Sequence, residues 1–239
     1  MIAIIGGTGF GSFLGLTDII SSRIETQYGW TYIERGLFLG QPIIFLPRHG
    51  HPPKIPPHSI NYQANIQALG DIEVDYIVAL NAVGSIDESL GVPSLIIPDQ
   101  IIDYTHGRLN TFYQADIKHI DFTFPFDSEL RQELIRGVQG GVDLKENGVY
   151  GCTQGPRLET AAEVRRMRKD GCDVVGMTLM PEASLARELS IPYASICFVV
   201  NRGAGIGNDL ITFEAINLAI ETSSYWISEM LAHVIKSKI

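Results

Sequence analysis

The sequence has little cysteine. Cys152, Cys172 and Cys197 are the only three in 239 residues, with no C-x-x-C pair and no metal-ligand spacing among them. An odd, sparse set excludes a disulfide framework and suits a reducing, cytoplasmic setting. Long apolar runs are missing too. The longest, Tyr76 to Leu80 and Ile191 to Val200, fall far short of the roughly 20 residues that a membrane helix needs, so no membrane partner is expected. The N-terminal Met1-Ile-Ala-Ile-Ile-Gly-Gly has no basic region and no cleavage site, and it reads as a buried strand rather than a leader. Positive charge is in deficit: 18 Lys and Arg against 27 Asp and Glu give a net charge of −9. That leaves no basic footprint for nucleic acid, and any anion site must be local. Repeats, low-complexity tracts and Ser/Gly linkers are absent as well, which leaves residues 1–239 to form one domain.

What is present is the composition of a globular protein, 45% hydrophobic and 19% charged, enough to argue against disorder. Runs rich in Ile and Val recur at Ile2 to Ile5, Pro42 to Leu46, Tyr76 to Leu80, Ser94 to Ile102, Asp173 to Gly176 and Tyr193 to Val200. Runs apolar on both faces read as central strands of a covered sheet. Helical patterns lie between them, at Ile60 to Leu69, Ser128 to Val138, Glu159 to Asp170, Pro181 to Ser190 and Phe213 to Ile235. The alternation predicts a three-layer α/β/α fold around a mixed, largely parallel sheet. His49 to His58 holds four prolines and reads as a stiff loop. Residues 103–127 are also irregular, and a loop of that length is usually functional or an interface.

Six short motifs carry candidate chemistry. Gly6-Gly7-Thr8-Gly9-Phe10-Gly11 follows a strand, where backbone N–H groups and the Thr hydroxyl can cradle an anion. A dinucleotide fingerprint is the rival, but Ser12 stands where its third glycine belongs. No Tyr-x-x-x-Lys pair offers reductase chemistry. Pro47-Arg48-His49-Gly50-His51 offers a guanidinium fork and an imidazole to phosphate oxygens. Its rivals are a solvated loop and a metal site built from His49, His51 and His58, which lacks completing acidic ligands. Asn81-Ala82-Val83-Gly84-Ser85 ends a strand, where open α/β sheets bind ligands, or is an ordinary turn. Gly155 to Thr160 and Gly176 to Glu182 both lead into helices, and Thr178 could be no more than a helix cap. Finally, Asn201, Arg202 and Gly203 close the apolar run from Phe198, with Asn201 either capping a strand or entering a pocket.

The order of these motifs, together with His58-Ser-Ile-Asn61-Tyr62-Gln-Ala-Asn65, resembles the trimeric purine nucleoside phosphorylase and methylthioadenosine phosphorylase family over almost the whole chain. The resemblance implies that Thr8, Arg48, His49 and Thr178 hold phosphate, with Asn81 and the backbone at Ala82 assisting. It implies that Met177 packs against the ribose, that Glu159 and Asn201 face the base beside Arg202 and Gly203, and that His119 reaches a neighbouring subunit's sugar pocket. It further implies a homotrimer with no metal or organic cofactor, taking a purine nucleoside and phosphate.

Two positions depart from the methylthioadenosine pattern. Adenine-reading members typically pair Ser with Asp at the base, where this chain has Glu159 and Asn201. A 6-oxopurine carries a proton on N1 that a carboxylate accepts, whereas adenine presents a lone pair there. Asn can donate to O6 and accept from a protonated N7. Phe213 stands where enzymes for 5′-hydroxyl nucleosides have His, and an apolar side chain suits a methylthio group. The expected reaction is phosphorolysis of S-methyl-5′-thioinosine to hypoxanthine and 5-methylthioribose 1-phosphate, with Asn201 and Glu159 as catalytic residues. Inosine or guanosine, or methylthioadenosine, are the alternative substrates; an NAD(P)-binding oxidoreductase and a non-catalytic nucleoside binder are the alternatives of other classes.

Overall fold

The computed structural model describes residues 1–10, 13, 15–207 and 212–238, with Phe213 and Lys238 described by backbone only. Eleven strands among them form one sheet: β1 (Ile2–Gly6), β2 (Thr17–Thr26), β3 (Gly29–Phe38), β4 (Gln41–Pro47), β5 (Tyr76–Ser85), β6 (Leu95–Ile96), β7 (Gln100–Asp103), β8 (Leu144–Lys145), β9 (Val149–Cys152), β10 (Val174–Gly176) and β11 (Tyr193–Arg202). The helices are α1 (Tyr62–Asp71), α2 (Ser128–Arg136), α3 (Ala161–Lys169), α4 (Leu179–Glu188) and α5 (Phe213–Lys238). No described helix is long and apolar enough to cross a membrane.

Side chains alternate across a strand, so a strand buried on both faces must be apolar throughout. β1 is buried at all five residues. Its Ile5 packs with Leu46, Ile66, Leu69 and Leu185 under α1 and α4. Its Ile4 faces the other way, toward Phe45, Phe198, Leu134 and Leu231 under α2 and α5. Each such Ile or Leu contributes ~1.5–3 kcal/mol by leaving water. The expected three layers and mixed sheet are what the chain forms.

β5 is the branch point that makes room for a site. On one side it pairs along its whole length with β11, in parallel. On the other it pairs first with β1, from Tyr76 to Ala79, and then, antiparallel, with β10 at Gly84 and Ser85. On that side, between these two partners, Leu80 to Val83 have no strand beside them among the described residues. A crevice therefore opens at the carboxyl ends of β1 and β5, the place where open α/β sheets bind ligands. On the β11 side the register shifts between Val199 and Asn201. The bulge at Val200 sets Asn201 opposite Gly84, the partner that Val200 would otherwise take, a common device beside active sites.

The structure differs from the sequence expectation in four places. The β2–β3 hairpin was not foreseen. β2 is an edge strand whose first five residues, Ile19 and Ile20 included, are exposed, and Ile24 is its one apolar side chain packed against the core, so its apolar pattern is weak. The run from Ser94 to Ile102 divides into β6 and β7, with Pro98, which has no N–H to give a ladder, between them. α3 begins at Ala161, because Thr160 caps it in a reciprocal box with Glu163, and this leaves Glu159 outside the helix. The proline-rich loop ends in a short 3-10 turn, Pro57–Ser59.

Candidate active site

The crevice holds a cavity of about 190 Å³. Its lining brings together Thr8 after β1, Arg48 and His49 after β4, Asn81 and Ala82 on β5, Met177 and Thr178 after β10, Glu159 before α3, and Asn201 and Gly203 at the end of β11. A larger cleft of about 600 Å³ lies on the far side of Glu159, the one residue it shares with this cavity, and runs past Asp103, Arg157 and Arg166. The smaller cavity is the candidate site, since Thr8, Arg48, His49 and Thr178 line it and not the larger cleft.

Arg48 is fully buried, and its contacts redefine its part. Nε donates to Glu182 Oε2 (3.0 Å) and Nη2 to Glu182 Oε1 (2.9 Å). Nη2 also reaches Ile5 O at 3.5 Å, and Nη1 donates to Leu80 O at 2.7 Å, a carbonyl that β1 leaves behind where it parts from β5. The expected fork is therefore closed on Glu182 rather than open to phosphate, and of the five guanidinium N–H groups one on Nη1 remains. Nη1 lies against the backbone of Gly7, where a Cβ would come within 2.5 Å, so this turn needs glycine. Burial by itself would weaken the cation, but the charge and hydrogen bonds of Glu182 outweigh it and hold the guanidinium pKa above its ordinary value. Tyr193 Oη donates to the same carboxylate at 2.7 Å.

Thr178 stands at the N-cap of α4 but makes no capping bond. Its Oγ1 donates instead to Asn81 Oδ1 (2.7 Å), and Asn81 Nδ2 donates to Ser195 Oγ (2.8 Å). All three residues are buried. His49 Nδ1 lies 2.8 Å from the Ile55 carbonyl, and the Ile55 N–H returns to His49 O at 2.9 Å. The proline-rich loop thus pins the ring. Burial, joined by the charge of Arg48, pushes its pKa below 6.5 against the opposing pull of the Ile55 bond.

At the other end, Glu159 Oε1 accepts a bond from Thr153 Oγ1 at 2.6 Å. Asn201 Nδ2 donates to Arg202 O at 2.7 Å, leaving one amide N–H and the amide oxygen for a ligand. Asn201 Nδ2 would sit 3.2 Å from a Cβ on Gly84, so glycine there lets the amide approach the strand. Val83, Leu158, Val175, Val200, Ala204 and Ile216 form the apolar wall. One end of the cavity suits an anion, and the other suits a flat group with donors and acceptors on its edge.

Two predicted residues, Arg202 and His119, are not brought in. Arg202 closes β11 beside Gly207 and is absent from the described lining, because Asn201 takes the inward position after the bulge. His119 is exposed on the long loop, away from this cavity. The side chain of Phe213 lies outside the described residues; from the same helix, Ile216 lines the cavity.

Five residues escaped sequence reasoning. Glu182, Tyr193 and Ser195 act behind the wall, through partners distant in sequence. Thr153 holds Glu159. Arg108 ties the long loop down by donating to Gln154 Oε1, the Tyr62 hydroxyl and the Thr153, Gln154, Met177 and Met180 carbonyls. Only Glu182 stood inside a motif, where a buried Pro-Glu step after Gly-Met-Thr was a signal.

The rival readings find less support. The next described element after β1 is the edge strand β2, not the helix that a dinucleotide turn opens. His51 stacks on Tyr32, with ring centroids 5.1 Å apart. Among the described residues no group of three His, Cys, Asp or Glu is placed to hold a metal ion.

Comparison with known proteins agrees with this geometry. A family model described as the phosphorylase superfamily matches residues 1–236. A probable S-methyl-5′-thioinosine phosphorylase of Pseudomonas syringae pv. tomato is 44% identical, over 98% of each chain. A 6-oxopurine nucleoside phosphorylase of Pyrococcus furiosus is 41% identical, over 98% of this chain and 91% of that one. Among solved structures, methylthioadenosine phosphorylase from Schistosoma mansoni with adenine superposes with a TM-score of 0.91 at 28% identity, covering 98% of this chain and 90% of that one. A family match over residues 1–236, with relatives more than 40% identical over nearly their full length, has one conclusion: the chain belongs to the phosphorylase superfamily.

Proposed function

We propose that this phosphorylase cleaves S-methyl-5′-thioinosine with inorganic phosphate, giving hypoxanthine and 5-methylthioribose 1-phosphate. The observation that carries the proposal is the meeting of Glu159 and Asn201 in one cavity with Ile216. Glu159 keeps an oxygen free of Thr153 to accept the N1 proton of a 6-oxopurine. Asn201 keeps an N–H for O6 and an oxygen for a protonated N7. Ile216 offers an apolar surface to a methylthio group and nothing to a 5′-hydroxyl.

In this mechanism Thr8, the free N–H of Arg48, His49, Thr178 and the backbone at Ala82 place phosphate beneath C1′, and orientation is their contribution. The buried dyad of Arg48 and Glu182 keeps that frame rigid. Met177 packs against the ribose as positive charge grows on it. Asn201 stabilises the charge that builds on the departing purine, a preorganised electrostatic effect. No metal or organic cofactor is called for. The enzyme works as a homotrimer, in which His119 reaches a neighbouring copy's sugar pocket; its exposure on a loop that also presents Ile117 and Phe124 to solvent supports this.

The names of the Pseudomonas and Pyrococcus relatives support a 6-oxopurine. A second reading, methylthioadenosine as substrate, is favoured by the names of the solved structures that superpose. Product analysis separates them. Incubated with phosphate and either methylthio nucleoside, the enzyme is expected to release hypoxanthine and 5-methylthioribose 1-phosphate from the inosine compound. Release of adenine alone replaces the proposal with the second reading.

A further inference from the structure

The anion end of the cavity contains one group that cannot change its hydrogen-bonding sense. A carbonyl only accepts, so the contact between His49 Nδ1 and Ile55 O (2.8 Å) requires the proton on Nδ1. In the neutral ring Nε2 then carries a lone pair and has no partner among the described residues. Burial and the neighbouring guanidinium keep the ring neutral.

The surrounding groups differ from it in two ways. Arg48 brings little net charge, because Glu182 pairs with it on two bonds and both are buried. Thr178 gives its proton to Asn81 in the present arrangement. It recovers that proton if the Asn81 amide turns over, since Nδ2 then donates to Thr178 and Oδ1 accepts from Ser195, whose hydroxyl serves either way. Thr8 is a hydroxyl and also turns. His49 is held by the carbonyl and does not.

We infer that His49 makes this end of the cavity selective for a tetrahedral oxyanion that carries a proton, accepting from its P–OH through Nε2 and disfavouring dianions of the same size that have none. This rests on the phosphorylase reading of the cavity, and it concerns binding only, with no bond made or broken. HPO₄²⁻ and HAsO₄²⁻ meet the requirement. Sulfate and monofluorophosphate have the same charge and nearly the same shape, but they set an oxygen or fluorine lone pair against that of Nε2. Leaving the Nε2 acceptor unpaired against another lone pair costs about 1–3 kcal/mol, on the order of 10–100-fold in affinity.

The test is isothermal titration of the enzyme with phosphate, arsenate, sulfate and monofluorophosphate at about pH 8, well above the ordinary imidazole range. Phosphate and arsenate are expected to bind roughly 10–100-fold more tightly than the other two. In His49→Gln, whose amide can turn an N–H toward the anion, the gap is expected to close because sulfate gains affinity. Equal binding of phosphate and sulfate by the wild-type enzyme overturns the inference, and so does a gap that His49→Gln leaves unchanged. Failure of the underlying reading looks different: purine release from the nucleoside would not depend on phosphate, whatever the titrations gave.

Discussion

Arg48 and Glu182 lie 134 positions apart in sequence and meet in a bidentate pair at 3.0 and 2.9 Å, both side chains out of contact with solvent. The pair joins the turn after β4 to α4, so the wall of the anion end is also a structural bolt. Breaking a buried pair leaves one charge stranded, which costs about 3–5 kcal/mol. Glu182→Gln is therefore expected to lower the unfolding free energy by about that amount. The check is a urea midpoint that falls while the slope stays constant. The same variant should raise the KM for phosphate.

In the proposed reaction Asn201 acts on the base rather than on the frame. Its remaining N–H and oxygen are open to a ligand, so Asn201→Ala should lose ~10²–10³ in kcat with a 6-oxopurine nucleoside, as loss of one preorganised donor does. Steady-state kinetics decide the point, and near-normal turnover removes Asn201 from the mechanism.

His49 imposes a pH dependence of definite sign. Its pKa in the fold lies below the ordinary 6.5, so above that value the ring is neutral in folded and unfolded chains alike. As pH falls below about 6.5 the unfolded chain takes up a proton that the folded site resists. Stability is lost through that window until the folded pKa is passed. The charged groups beside the ring are Arg48, which adds to the shift, and Glu182, which opposes it. Urea midpoints measured for wild type and His49→Gln across this range should converge toward acid, because the variant lacks this part of the loss.

Ile216 tests the 5′ end. Ile216→Asn places a hydrogen-bonding amide on the α5 wall of the cavity. The ratio of kcat/KM for inosine to that for S-methyl-5′-thioinosine is expected to rise by about 10-fold or more, the scale of discrimination for a small group in a pocket. An unchanged ratio moves the 5′ site away from this face of α5.

Much of this was legible in the sequence, for physical reasons. Strands apolar on both faces, such as Ile2 to Ile5 and Tyr193 to Val200, announce a covered sheet, and the motifs at their carboxyl ends fall in one crevice. β2 gave little signal because Ile19 and Ile20 lie in solvent and only Ile24 among its apolar residues turns to the core. Arg48 was visible as a cation but not as a paired one, since Glu182 meets it only in the fold. Neither could the sequence show the bulge at Val200, which turns Asn201 inward and leaves Arg202 out of the lining. Thr153, one hydroxyl behind Glu159, belonged to no motif.

The most direct test of the base assignment is the ratio of kcat/KM for S-methyl-5′-thioinosine to that for 5′-methylthioadenosine, both with saturating phosphate. In the proposed base site Glu159 and Asn201 would mispair with adenine at N1 and at the 6-amino group, and such mismatches of buried polar groups discriminate by ~10⁴–10⁵. A ratio of that order in favour of the inosine compound is the predicted result. A ratio near one, or a preference for the adenosine compound, would contradict it.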